Sequence, residues 1–245
     1  MRCSWGMLFL LLMIPASGAA QLTPGAHYAL PSAGAQFAQN ELLKVTTTYP
    51  ALAPGEPPGP VATKTFLDPG FYSSARYLYA LNRKVGLELE LSWGVSVHVI
   101  EQNEVDTGEP IQVETTTTDA HILQGFVNLD YFLGPYSVAS PFLTVGLGTR
   151  TTNLRQKGSV NPDPIYNRAF MAGFGLMLVA NETLSFRFEL RDFMYNFYYD
   201  NQFADPQRSP DVLGIRDIGI AVRAAEPRFQ HDIVVTFGVQ VKFAG

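Results

Sequence analysis

The chain has 245 residues, a formal net charge of −5, 16% charged and 12% aromatic residues, and a single cysteine. An acidic chain lacks the basic surface that phosphate contacts need, which excludes nucleic acid as a partner. Only five lysines occur (Lys44, Lys64, Lys84, Lys157 and Lys242), few for a water-facing surface of this size.

The chain opens on "MRCSWGMLFLLLMIPASGAAQ". Arg2 supplies a positive start, Met7 to Ile14 form an apolar run, and Gly18 and Ala20 are the small pair before a cut at Gln21. This is the pattern of a secretory signal peptide over residues 1–20. Cys3 leaves with it, so the mature chain has no thiol for a disulfide, a nucleophile or a metal. His27, His121 and His231 show no metal-ligand spacing, and no cofactor is expected.

Residues 21–41, with Pro24, Pro31 and many small residues, read as a periplasmic lead-in to a barrel domain over 42–245. "LLKVTTTY" (42–49) is β-prone and forms the first expected strand. "PALAPGEPPGP" (50–60) carries too many prolines for a strand or helix interior and reads as a loop. Six alternating segments follow: 75–81, 85–99, 122–133, 142–150, 170–178 and 184–192. The clearest, "VGLELELSWGVSVHV", puts Val85, Leu87, Leu89, Leu91, Trp93, Val95, Val97 and Val99 on one face and Glu88, Glu90, Ser92, Ser96 and His98 on the other. The closing segment "IVVTFGVQVKF" sets Val235, Phe237, Val239, Val241 and Phe243 against Thr236, Gly238, Gln240 and Lys242.

That makes eight strands. Their connections alternate long (50–62, 101–119, 155–165, 199–228) and short (82–84, 134–140, 180–182). Strict alternation places every long loop at one end of an up-and-down meander, the plan of outer-membrane barrels. "ETTTTD" (114–119) falls in a loop flank, and "IRDIGIAVRA" (215–224) leaves open an extra hairpin. The fold class is therefore all-β: a single antiparallel transmembrane barrel. The apolar faces are long enough for the roughly 9–11 residues a tilted strand needs to cross a bilayer. The polar faces carry Gly, Ser, Thr, Arg and Glu. Aromatics gather near strand ends, with Tyr166, Phe170, Phe193, Tyr195, Phe197 and Tyr198 toward the long loops and Tyr131, Tyr136, Phe142 and Phe243 toward the short turns. These are the residues of two interfacial girdles.

The signal peptide, the alternating strands and the closing "VTFGVQVKF" resemble the small outer-membrane β-barrel families, including the OmpA-like eight-stranded type. "LRDFMYNFYY" (190–199) is similar to proteins of the "outer membrane beta-barrel domain" class. The resemblance implies an outer-membrane location, and a C-terminal assembly signal read by the barrel-insertion machinery, matched by Val239, Val241 and Phe243. Ala244 and Gly245 follow the aromatic and depart from that signal. It implies no reaction.

An eight-stranded barrel has an interior just wide enough to be filled by side chains, and charges there must be paired. Arg76, Glu88, Glu90, Asp130, Arg150, Arg187, Glu189 and Arg191 form the expected lumen network. A turn at 82–84 sets Arg76 opposite Glu90; a turn at 180–182 sets Gly173 opposite Glu189 and Gly175 opposite Arg187. The expected protein is a monomeric, non-enzymatic barrel surrounded by lipid, with a structural or surface-interaction role through its long loops. Two alternatives stay open. One is a narrow pore for small solutes. The other is a lipid acyl hydrolase or transferase, for which Ser96 and His98, two apart on one face, are the candidate pair, with Glu101 or Glu104 as orienting acid.

Overall fold

The computed structural model describes residues 22–39, 42–48, 60–104, 113–133, 138–155, 164–197 and 228–245. The signal segment, the tips of the long loops, residues 215–224, Tyr136 and Tyr198 lie outside the described residues. Ten strands follow one another: β1 (His27–Ala38), β2 (Leu43–Thr48), β3 (Pro60–Leu67), β4 (Gly70–Ala80), β5 (Val85–Glu104), β6 (Val113–Phe132), β7 (Ala139–Arg155), β8 (Ile165–Val179), β9 (Leu184–Phe197) and β10 (Arg228–Ala244). All are antiparallel to their neighbours, in the order β2-β3-β5-β4-β1-β10-β9-β8-β7-β6, and pairing of β5 with β6 closes the sheet. Eight of them (β1 and β4 to β10) form the closed wall. The expected eight-stranded antiparallel barrel is the fold found.

The two remaining strands are outward continuations of wall strands. β3 and β4 both pair with β5, Leu67 opposite His98 and Phe71 opposite Val95, so they form one line broken only at Asp68 and Pro69. Pro69 has no N–H to give to the ladder, which explains the break. β1 pairs with β4 and β2 with β3, making a second interrupted line.

This corrects the start of the domain. The first wall strand is β1, inside the segment read as a periplasmic lead-in, and the "LLKVTTTY" stretch is its outer continuation. The loop expected over 50–62 likewise gives way to strand at Pro60. The physical reason lies in β1 itself. Its outward side carries small residues (Ala29, Pro31, Ala33, Ala35), so it lacks the apolar contrast of the other strands. Pro31 is accommodated because it pairs with Ala75 of β4, while the ladder to β10 resumes only at Ser32 opposite Gly238. The 101–119 connection is also shorter than expected, since β5 runs to Glu104 and β6 begins at Val113, which places "ETTTTD" within a strand.

The wall is inverted relative to a water-soluble protein. Leu87, Leu89, Leu91, Trp93, Val127, Leu129, Leu143, Val145, Leu147, Phe174, Phe188, Val235, Phe237 and Phe243 are all exposed, whereas Arg76, Glu88, Glu90, Asn128, Asp130, Arg150, Arg187, Glu189 and Arg191 are buried. Three of the aromatics assigned to girdles point the other way: Phe142, Phe193 and Tyr195 are buried in the lumen. Their parity along β7 and β9 is that of the polar face, which decides the direction. Tyr131, Tyr166, Phe170 and Phe243 do face outward.

Candidate functional site

Both short hairpins that carry the charged strands use one device. In the β4–β5 turn the Asn82 side-chain oxygen accepts the N–H groups of Lys84 and Val85 (2.8 and 3.0 Å). In the β8–β9 turn Asn181 accepts those of Thr183 and Leu184 (2.9 and 2.8 Å). An Asn that closes its own turn sets the register of the strands it joins. The first turn puts Arg76 opposite Glu90 as expected. The second turn spans 181–183 rather than 180–182. This one-residue slide moves the partners by two, so that Gly173 faces Arg191 and Gly175 faces Glu189. A shift of two keeps every side chain on its face.

β5 and β9 lie diametrically apart, four strand steps in either direction around the wall. Their inward charges meet across the lumen. Arg191 reaches Glu90 at 2.5 Å and Glu88 at 3.1 Å, and its Nε lies 2.5 Å from Glu189. Arg187 reaches Glu88 at 3.2 Å and Asp130 on β6 at 3.0 Å, with its Nε 2.8 Å from Glu189. Arg76 on β4 donates to both oxygens of Glu189 (2.9 and 2.7 Å) and stands 3.6 Å from Glu88. Asn128 donates to Glu88 and Glu90 (3.0 and 2.8 Å), and the Tyr72 hydroxyl donates to Glu90. Three guanidiniums and four carboxylates are thus knotted into one cluster, each charge with more than one partner except Asp130.

Arg150, expected within that cluster, sits elsewhere. It pairs with Asp232 on β10 at 2.5 Å and stacks over Tyr195, 4.4 Å from the ring centre. Gln36 also donates to Asp232 at 2.6 Å. Alternation alone does not single out Asp232, Tyr72 or Gln36, and it sets Asn128 on the polar face beside Asp130 without a role. Asp232 shares the parity of Thr236 and Gln240 but lies just before the closing segment that begins at Ile233.

Apolar layers bracket the main cluster. On the short-turn side Leu22, Ala26, Tyr28, Leu78, Ala80, Phe132, Phe142 and Met177 pack together, and Arg187 lies 4.2 Å over the Phe142 ring. On the other side Tyr72, Phe126, Met171, Phe193 and Val234 belong to a second apolar cluster. Ser96 and His98 are both buried near the outer end, but the Ser96 hydroxyl donates to the Asp68 carbonyl. Among the described residues no group of His, Cys, Asp and Glu side chains is arranged to hold a metal ion.

A closed sheet leaves no edge, and an apolar exterior around a charged interior is stable only in lipid. The fold and the lumen together define a transmembrane β-barrel of the bacterial outer-membrane type. No protein-family model and no curated protein sequence matches the chain. Among solved structures it is similar to the outer membrane protein OprG from Pseudomonas aeruginosa, at 14% identity and TM-score 0.48, with 91% of this chain and 98% of that one covered. Neisserial surface protein A is similar at 13% identity and TM-score 0.43, over 93% of this chain and all of that one (100%). The outer membrane protease OmpT from Escherichia coli is similar at 9% identity and TM-score 0.39, with 93% and 100% covered.

Proposed function

We propose that the protein is a non-conducting, non-enzymatic outer-membrane barrel with a structural or surface-interaction role through its long outer connections. The observation that carries this reading is the meeting of Arg187 and Arg191 with Glu88 and Glu90 across the full width of the lumen at 2.5–3.2 Å. The apolar clusters on both sides support a lumen without a continuous polar path among the described residues. Lipid surrounds the wall, the barrel acts as a monomer, and Val239, Val241 and Phe243 serve as the signal to the insertion machinery. The Ser96 bond to the Asp68 carbonyl supports a non-catalytic reading, since it directs the hydroxyl proton away from any base.

The test is conductance. Purified protein in a planar bilayer should give no steady porin-sized current. Glu90→Ala should be equally silent, because the apolar layers above and below stay in place. Stable open-channel currents from the unmutated protein would overturn the reading in favour of a pore.

A further inference from the structure

The stretch "LTPGA" (22–26) precedes the first strand and doubles back under the barrel. The Ala26 N–H donates to the Thr23 carbonyl at 3.0 Å, closing a four-residue turn with Pro24 and Gly25 at its centre. Gly25 has φ +76°, the left-handed value that a type II turn demands at that position and that glycine tolerates. The turn is tied to the wall. The Gly25 N–H donates to the Ala80 carbonyl (2.8 Å), and the Ala80 N–H donates to the Ala26 carbonyl (3.0 Å). The Thr23 N–H donates to the Tyr28 hydroxyl, itself inside the lumen, at 3.0 Å.

The reversal points Leu22 into the short-turn mouth. Leu22 is 2% exposed and packs with Leu78, Ala80, Phe132, Phe142 and Met177. The chain's other end closes over the same turn. Gly245 has φ +105°, and a Cβ there would come within 2.5 Å of the Ala26 Cα. At Gly245 the backbone therefore passes against the N-terminal turn where a side chain would collide.

We propose that residues 22–26 are a separable seal of the periplasmic mouth: Leu22 is the stopper, the type II turn its hinge, and Gly245 its seat. The proposal rests on the reading of a filled lumen and adds a second barrier to it. The seal joins the wall by a few hydrogen bonds and two apolar side chains, Leu22 and Ala26, whereas the eight wall strands are held by long ladders. It is the part of the barrel that opens without unfolding the rest.

Cysteine accessibility tests this in a Cys3→Ser background, since Cys3 is the one cysteine of the sequence. Ala80→Cys places a thiol in the layer that Leu22 covers, and Thr144→Cys places one beside the charge cluster; both positions are fully buried. Each is reacted with a bulky, charged maleimide added from the periplasmic side of folded protein. In the otherwise unmutated barrel both thiols should be protected. Adding Leu22→Asp should raise labelling of Ala80→Cys roughly tenfold or more while the heat-dependent gel shift persists, and Thr144→Cys should stay protected. Gly25→Val, which strains the turn without placing a charge in the lumen, should act in the same direction and serves if Leu22→Asp fails to fold. Equal labelling of Ala80→Cys with and without these changes would overturn the seal. Rapid labelling of Thr144→Cys in the unmutated background would instead sink the filled-lumen reading.

Discussion

Replacing Glu189 with alanine isolates the weight of a single carboxylate in the lumen. Glu189 serves three guanidiniums: Arg76 at 2.7 Å, Arg187 at 2.8 Å and Arg191 at 2.5 Å. Arg187 retains Glu88 and Asp130, and Arg191 retains Glu88 and Glu90. Arg76 retains only Glu88, at 3.6 Å. Glu189→Ala therefore leaves Arg76 with one long contact in place of its two short ones, and weakening a buried pair in this way costs up to about 3–5 kcal/mol. Asp130→Asn is the matched control. Asp130 has Arg187 as its one ion-pair partner, and Arg187 keeps Glu88 and Glu189, so the expected loss is at most the about 1 kcal/mol of a single hydrogen bond. Urea unfolding in detergent, followed by the heat-dependent gel shift, should show a large drop in midpoint for Glu189→Ala and a small one for Asp130→Asn. Adding Arg76→Met to Glu189→Ala should recover most of the loss, because each remaining buried charge then keeps a close partner of opposite sign. Equal midpoints for Glu189→Ala and Asp130→Asn, or no recovery in the double variant, would refute the assignment of partners.

Three other outcomes follow. Gly146→Ala would bring a Cβ within 2.0 Å of the Asn128 side-chain oxygen, displacing the amide that bridges Glu88 and Glu90. A loss of about 1–3 kcal/mol in the same unfolding assay is expected. Deleting Phe243 to Gly245 removes the aromatic that packs on His27 and Tyr77 at the β1–β10 seam, and the truncated chain should show no heat-dependent gel shift. N-terminal sequencing of membrane-inserted protein should begin at or within about two residues of Gln21, as the small residues before it specify.

Strong alternation made the β5-to-β10 wall readable, because each of those strands carries large apolar residues on one parity and polar ones on the other. β1 failed that test for a reason visible in its residues: alanines and Pro31 face outward where the other strands place Leu, Val or Phe. The lumen charges were legible one by one, since inward parity follows from the pattern. Their partners were not. Arg76 meets Glu189 three strands away more closely than Glu90 opposite it, and Arg150 turns to Asp232 rather than to the glutamates. Cross-lumen contacts depend on how far the sheet shears as it closes, and no local spacing encodes that. Phe193 and Tyr195 show the converse, since parity placed them inside while composition suggested a girdle.

The two 20-residue strands β5 and β6 bear on where this protein meets the outside world. Twenty residues at about 3.4 Å each, tilted by about 40°, climb roughly 50 Å, about twice the height of the apolar band of such a barrel. The continuation of β3 along β5 and of β2 along β3 braces that overhang from one side. Among the described residues the wall is thus taller on the β3–β5–β6 side, where paired strands run on beyond the height of the apolar band. A short epitope grafted at the outer ends of β5 and β6 is therefore expected to be carried clear of the lipid.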